Sequence, residues 1–133
     1  LDDYVLHKLN IHAPRADMSE WENIIDNANN LKHTVKIAIV GKYVQLHDAY
    51  LSVSESLKHA GYPISSDIDI RWVNSEFLTK ENLESELGGL DGILVPGGFV
   101  GRGIEGKIMA AQYARVNKIP YFGICLGMQI AVI

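Results

Sequence analysis

The chain has 133 residues, at most one ordinary domain, and 47% of them are hydrophobic, enough for a real core. A formal net charge of −4 argues against a nucleic-acid or anionic-membrane surface, and no run reaches the roughly 18 apolar residues of a membrane span. The single cysteine excludes an internal disulfide and fits a reducing, cytoplasmic setting.

Residues 1–33 are polar, Asn-rich and interrupted by Pro14. They predict a short helix from Leu1 to Leu9 and a second from near Ser19. Asp17 or Ser19 would cap the second, with Trp21, Ile24 and Ile25 on one face. Such a segment reads as a linker that packs on something, not as a domain. From Val35 the pattern changes to alternating strands and helices. Val35 to Val40 reads as a buried strand ending at Gly41. Asp48 can cap a helix with Tyr50, Val53, Leu57 and Ala60 on one face, and Gly61 can stop it. Asp69 to Val73 reads as a strand, Lys80 to Leu87 as a short helix, and Gly92 to Val95 as a third strand. The loop Pro96 to Gly103 follows. A helix from Ile104 to about Val116 would turn Ile108 and Ala111 inward. The predicted fold is α/β, a doubly wound, mostly parallel, flavodoxin-like sheet, expected to be incomplete at the C-terminus. The chain starts at Leu1, shows no signal peptide and closes on an apolar run at 130–133, so it is expected to be an excerpt of a longer protein.

In such sheets function sits at the carboxyl ends of the strands. Three features fall there: the Gly41-Lys42-Tyr43 turn, the Gly97-Gly98-Phe99 loop, and Cys125. Two other matches are rejected. Gly101, Gly103 and Gly106 spell the dinucleotide fingerprint by letters, but the turn after Val95 is too long and no acidic residue follows at the required distance. Gly101, Gly106 and Lys107 also fit a phosphate-binding loop, but Ile108 stands where a Ser or Thr must hold magnesium. His7, His12, His33, His47 and His59 show no metal-ligand spacing, so no metal site is expected.

Cys125 carries the strongest signal. It follows the short apolar strand Pro120 to Ile124, and a glycine stands two residues to each side, Gly123 and Gly127. That is the spacing of a nucleophile elbow with sulfur in place of oxygen. A helix beginning at Leu126 aims free N–H groups at the sulfur and favours the thiolate. The thiolate would attack a carbonyl carbon and form a thioester. The N–H of Leu126 and one from the Gly97-Gly98 loop would hold the oxyanion. A histidine must move the proton. His47 is the nearest upstream candidate, and the base is expected beyond Ile133. The bland alternative is a buried structural cysteine.

The segment Gly123-Ile124-Cys125-Leu126-Gly127-Met128-Gln129 resembles the nucleophile motif of class I glutamine amidotransferases. Further segments are similar to the branch of that family that serves the conversion of UTP to CTP. They are Leu1-Asp2-Asp3-Tyr4, Ser19-Glu20-Trp21-Glu22, Gly41-Lys42-Tyr43-Val44, Asp48-Ala49-Tyr50, Ser52-Val53, His59-Ala60-Gly61, Val95-Pro96-Gly97-Gly98-Phe99, Arg102-Gly103, Glu105-Gly106-Lys107-Ile108 and Tyr113-Ala114-Arg115. Met128 stands where sister amidotransferases carry His. The resemblance implies that Cys125 hydrolyses glutamine and that ammonia passes to a separate synthase domain, which holds ATP and Mg2+ and forms the amine with UTP. Residues 1–33 would be the end of that domain and the interdomain linker, and 34–133 the N-terminal part of the amidotransferase domain. Gly98 and Leu126 would form the oxyanion hole and, with Gln129, hold glutamine. GTP, as activator, would lie near Lys42, Tyr43, Phe99, Arg102 and Gly103. The excerpt itself would hold no cofactor. The parent would be a homotetramer binding neither nucleic acid nor membrane. The triad His and Glu of the family would lie downstream, so the excerpt alone is expected to be inactive.

Read singly, Lys42 is a solvated turn residue, Tyr43 core packing and Gln129 a surface helix residue. Two other functions stay open: another cysteine-elbow amidohydrolase, and a non-catalytic regulatory or assembly module of the same fold. One departure stands out. The family loop reads Gly-Gly-Phe-Gly-x-Arg-Gly, whereas Val100 and Gly101 here appear exchanged. A Val where φ must be positive costs about 1–2 kcal/mol, which predicts a mis-set or stiffer loop.

Overall fold

The computed structural model describes residues 1–133 apart from Phe99, Val100 and Arg102 and apart from the side chain of His47. The expected Val100 strain and the expected effector roles of Phe99 and Arg102 therefore lie outside the described residues. Four strands form one parallel sheet in the order β2-β1-β3-β4, the leading part of the flavodoxin-like order. They are β1 (His33–Gly41), β2 (Ser66–Asn74), β3 (Gly92–Val95) and β4 (Tyr121–Gly123). β1 and β3 are central and apolar on both faces, and Ala38, Ile39, Val40, Ile93, Leu94 and Val95 are all buried. That double burial is why these strands read as continuous hydrophobic runs. β2 and β4 are the edges of this sheet, and Phe122 of β4 is exposed.

The helices are α1 (Asp2–Lys8), α2 (Ser19–Asn29), α3 (Leu51–Gly61), α4 (Leu83–Leu87), α5 (Ile104–Asn117) and α6 (Leu126–Ala131). None is long and apolar enough to cross a membrane among the described residues. α1 and α2 bury no residue. Neither Asp17 nor Ser19 stands at the cap of α2, which is Met18 with no side-chain cap bond. Just ahead of it the Asp17 carboxylate accepts the Ser19 N–H at 3.0 Å, and this bond holds the Asp17 carboxyl below its usual range. Trp21, Ile24 and Ile25 are exposed.

Several expected details are corrected. Asp48 caps no helix; it sits in a 3₁₀ turn (His47–Tyr50), and α3 begins at Leu51 without a side-chain cap. The inward positions of α3 include Ser54 and Gly61, while Ala60 is exposed. Gly61 does not end the helix through a left-handed turn. The chain continues into a second 3₁₀ turn (Tyr62–Ile64), and Ser65 takes the positive φ of 52°. Gly61 is required for a different reason: a Cβ there would run into the Ser66 carbonyl oxygen. A further correction is in α5. Its buried face is Gly106, Lys107, Ala110 and Ala114, whereas Ile108 and Ala111 are half-buried beside α6. Small residues win that face because the helix lies close against the turn after β2. A Cβ on Gly106 would collide with the Ser75 carbonyl oxygen.

The expected helix from Lys80 is shorter, and α4 starts at Leu83. The Asn82 side chain takes up the preceding turn by accepting the Thr79 N–H at 2.8 Å and donating to the Phe77 carbonyl at 2.8 Å.

Candidate active site

Cys125 stands where β4 ends and α6 begins, with φ 52° and ψ −107°. A side chain in that region is strained by about 1–3 kcal/mol, and the cost persists only where the surroundings impose it. Here they do. A Cβ on Gly123 would run into the Gly127 carbonyl, and a Cβ on Gly127 would run into the Val95 carbonyl oxygen. Both glycines let α6 sit directly on the strand ends. Ile124 donates its N–H to Val95 at 3.0 Å, Gly127 donates to Ile124 at 2.9 Å, and Gln129 donates to Cys125 at 3.1 Å. The Tyr121 hydroxyl, half-buried, donates to the Gly127 carbonyl at 2.8 Å, and burial pushes its phenol pKa upward. The turn therefore holds the thiol exposed and not buried, against the bland reading of the residue.

The loop after β3 faces this turn. A Cβ on Gly97 would lie 3.4 Å from the Cys125 Cβ. A Cβ on Gly98 would lie 3.3 Å from the Lys107 Nζ and 3.9 Å from the Leu126 Cδ2. Gly97 and Gly98 thus run between the elbow and the first turn of α5. Among the described residues, the backbone N–H groups of Gly98 and Leu126 enter no backbone hydrogen bond. Gln129 is in α6 and exposed, as is Met128.

Of the effector candidates, Lys42 and Tyr43 follow β1, the neighbour of β3 in the sheet. The Tyr50 hydroxyl accepts the N–H groups of Lys42 and Tyr43 at 3.2 and 3.3 Å, and it packs where a Gly41 Cβ would go. Lys42 lies 4.0 Å from Glu76 and its ammonium sits over the Tyr43 ring at 5.7 Å. Tyr43 is exposed rather than part of the core. Gly103 has φ 89° and packs against Ser75 and Glu76 of the turn after β2. The glycines of the rejected fingerprint are thereby explained by packing at Gly103 and Gly106. Gly101 has open space around it and no positive φ.

The described histidines are elsewhere. His33 begins β1, at the amino edge of the sheet, His59 lies in α3 beside Tyr62, and His7 and His12 belong to the N-terminal segment. No group of three metal-ligating side chains occurs among the described residues.

Sequence reasoning gave Tyr121 no role at the site, placed Tyr50 only on a helix face, and met Lys107 only in the rejected phosphate-loop match and the family segment. The signal for Lys107 was present: it shares the i, i+3, i+7 face with Ala110 and Ala114, which marks an inward position.

Residues 45–133 match the family described as glutamine amidotransferase class-I. The chain belongs to this family. Over all 133 residues the amidotransferase chain is 56% identical to a CTP synthase of Listeria monocytogenes and 59% identical to one of Halalkalibacterium halodurans. It spans about a quarter of their length, 25% in each case. The glutaminase domain of a Trypanosoma brucei CTP synthase, described with bound acivicin, superposes with a TM-score of 0.68 at 50% identity. That match covers 74% of this amidotransferase chain and 39% of the trypanosomal one.

Proposed function

We propose that this chain carries the nucleophile half of the glutaminase site of a CTP synthase, with Cys125 as nucleophile. The observation that carries the reading is the exposed Cys125 at φ 52°, flanked by the uncommitted N–H groups of Gly98 and Leu126. The Cys125 thiolate attacks the side-chain amide carbon of glutamine. The carbonyl oxygen becomes an oxyanion held by the Gly98 and Leu126 N–H groups. As the carbon–nitrogen bond breaks, a proton goes to the departing nitrogen and ammonia leaves. Water then attacks the thioester carbon, releasing glutamate and restoring the thiol.

We assign Gln129, exposed and one turn after Cys125, to hold the polar end of glutamine. The proton carrier is a histidine oriented by a carboxylate. We place both outside residues 1–133, since the described histidines lie away from the elbow; these residues alone would then not turn over. Ammonia would pass to a synthase domain that uses ATP, Mg2+ and UTP, in a cytoplasmic homotetramer. Residues 1–33 would join the two domains. The Lys42 ammonium beside the exposed Tyr43 ring suits a ligand with phosphates and an aromatic base, which supports GTP as activator at that turn, extending to Phe99, Arg102 and Gly103.

The test is labelling of the full-length protein with the glutamine analogue diazo-oxo-norleucine, with the adduct mapped by mass spectrometry. The acivicin named with the trypanosomal relative is a second probe. The expected result is an adduct on Cys125 that free glutamine suppresses. A folded protein that takes no adduct would overturn the reading in favour of a regulatory or assembly module. An adduct that glutamine does not suppress would point instead to another cysteine-elbow hydrolase.

A further inference from the structure

Lys107 is the one lysine in the buried part of the described structure, at 4% exposure. Lysine is almost never fully buried unless paired. Yet no hydrogen bond or ion pair reaches its ammonium among the described residues. Its charged neighbour is Lys42, of the same sign, and burial together with Lys42 lowers its pKa. A methionine would fill this position without the cost of holding a cation largely out of water with no partner among the described residues. The fold instead sets Nζ 3.3 Å from the Cβ position of Gly98, with the Leu126 side chain 3.9 Å from the same point. The charge lies behind the loop segment whose other side faces Cys125.

We infer that Lys107 is a positioning residue of the glutaminase site: its ammonium seats the Gly97-Gly98 loop and biases the Gly98 side of the pocket toward the negative charge that develops on the substrate oxygen. A Cβ on Gly98 would stand 3.3 Å from the Lys107 Nζ, close enough that loop or ammonium would have to give by a few tenths of an ångström. A cation held largely out of water, without a partner among the described residues, is then a standing cost in the resting protein that is offset when the oxyanion forms, which is how a preorganised electrostatic site behaves. This inference rests on the proposed glutaminase reading.

The experiment compares wild type with Lys107→Met, Lys107→Gln and Lys107→Arg in the full-length protein, measuring glutamine hydrolysis and thermal unfolding. Wild type must first give the glutamine-protected adduct on Cys125; without it the glutaminase reading itself falls. With it, the two neutral variants are expected to lose about ten-fold or more in kcat with little change in KM. That is less than the roughly 10²-fold that loss of a direct oxyanion donor costs. They should also unfold at equal or higher temperature, and Arg should recover most of the rate. A purely structural lysine would lower stability and rate together. The inference is overturned by neutral variants as fast as wild type, by an effect confined to KM, by an Arg variant as slow as Met, or by neutral variants that fail to fold while Arg is fully active.

Discussion

Gly127 of α6 rests directly on the carbonyl group of Val95 at the end of β3, with no room between them for a single methyl. The same carbonyl accepts the Ile124 N–H at 3.0 Å. One peptide oxygen of the central strand therefore sets both the arrival of the chain at Cys125 and its departure into α6. Gly127→Ala forces these elements apart. It is expected to destabilise the fold by about 1–3 kcal/mol, the usual cost of overpacking. It should also slow Cys125 labelling more than the loss of stability explains. Denaturant unfolding beside adduct kinetics checks both.

Cys125→Gly separates strain from chemistry. Glycine accepts φ 52° freely, so the variant should be more stable than wild type by about 1 kcal/mol, after allowing for the entropy glycine loses on folding. It can form no adduct. A variant less stable than wild type would show that the elbow carries no strain.

Tyr121→Phe removes the hydroxyl that donates to Gly127 at 2.8 Å. A bond of this kind contributes about 1 kcal/mol net. Lower stability should be accompanied by slower labelling of Cys125, because the bond ties β4 to the helix that follows the nucleophile. Unchanged labelling would separate Tyr121 from the site.

Alkaline stability combines opposite signs. The Tyr113 phenol is held above its ordinary range by its hydrogen bond to Glu84, at 2.6 Å, and Tyr121 by burial. A raised folded-state pKa contributes stability that is complete below the ordinary phenol value of about 10 and is lost as pH rises past it. Lys107, lowered by burial and then by Lys42, works the other way. Its contribution rises with pH until the unfolded-state lysine value of about 10.4 is passed. Melting temperatures across pH 8–11 should therefore fall above about pH 10 in wild type. The fall should be shallower in Tyr113→Phe/Tyr121→Phe and should begin at lower pH in Lys107→Met.

The exchanged pair Val100 and Gly101 gives a comparison of rates. The surroundings of Gly101 leave open space for a side chain at an ordinary backbone angle, so Gly101→Val carries no packing cost there. The double variant Val100→Gly/Gly101→Val in the full-length protein is expected to couple glutamine hydrolysis better than wild type. Equal rates would sink the idea that Val100 stiffens the loop.

The sheet and the elbow were legible in the sequence because each rests on local rules. Apolar runs bounded by turns gave all four strands, and Gly123 and Gly127 around Cys125 gave the strained turn. Facts set by distant neighbours were not legible. Asp48 looks like a cap until the 3₁₀ turn carries the chain past it. Ile108 looks inward until the Ser75 carbonyl demands a glycine face on α5. The spacing of Lys107 with Ala110 and Ala114 marks it as inward, but nothing in its own segment announces that the Gly98 loop will lie over its ammonium. The site read in part for the same reason: Cys125 and its helix are contiguous, whereas the approach of Gly98 to Lys107 is a tertiary fact.

The register of the sheet is uneven. β1 and β2 pair continuously from His33–Ser66 to Gly41–Asn74, while β3 and β4 pair only from Ile93–Tyr121 to Val95–Gly123. The candidate nucleophile is carried by the lightly laced edge of the sheet. Backbone amides of β1 should exchange with solvent only on global opening, and those of β4 by local fraying at lower free energy. Cys125 is therefore held by its own turn, through Val95, Ile124 and Gly127, more than by the short strand that delivers it.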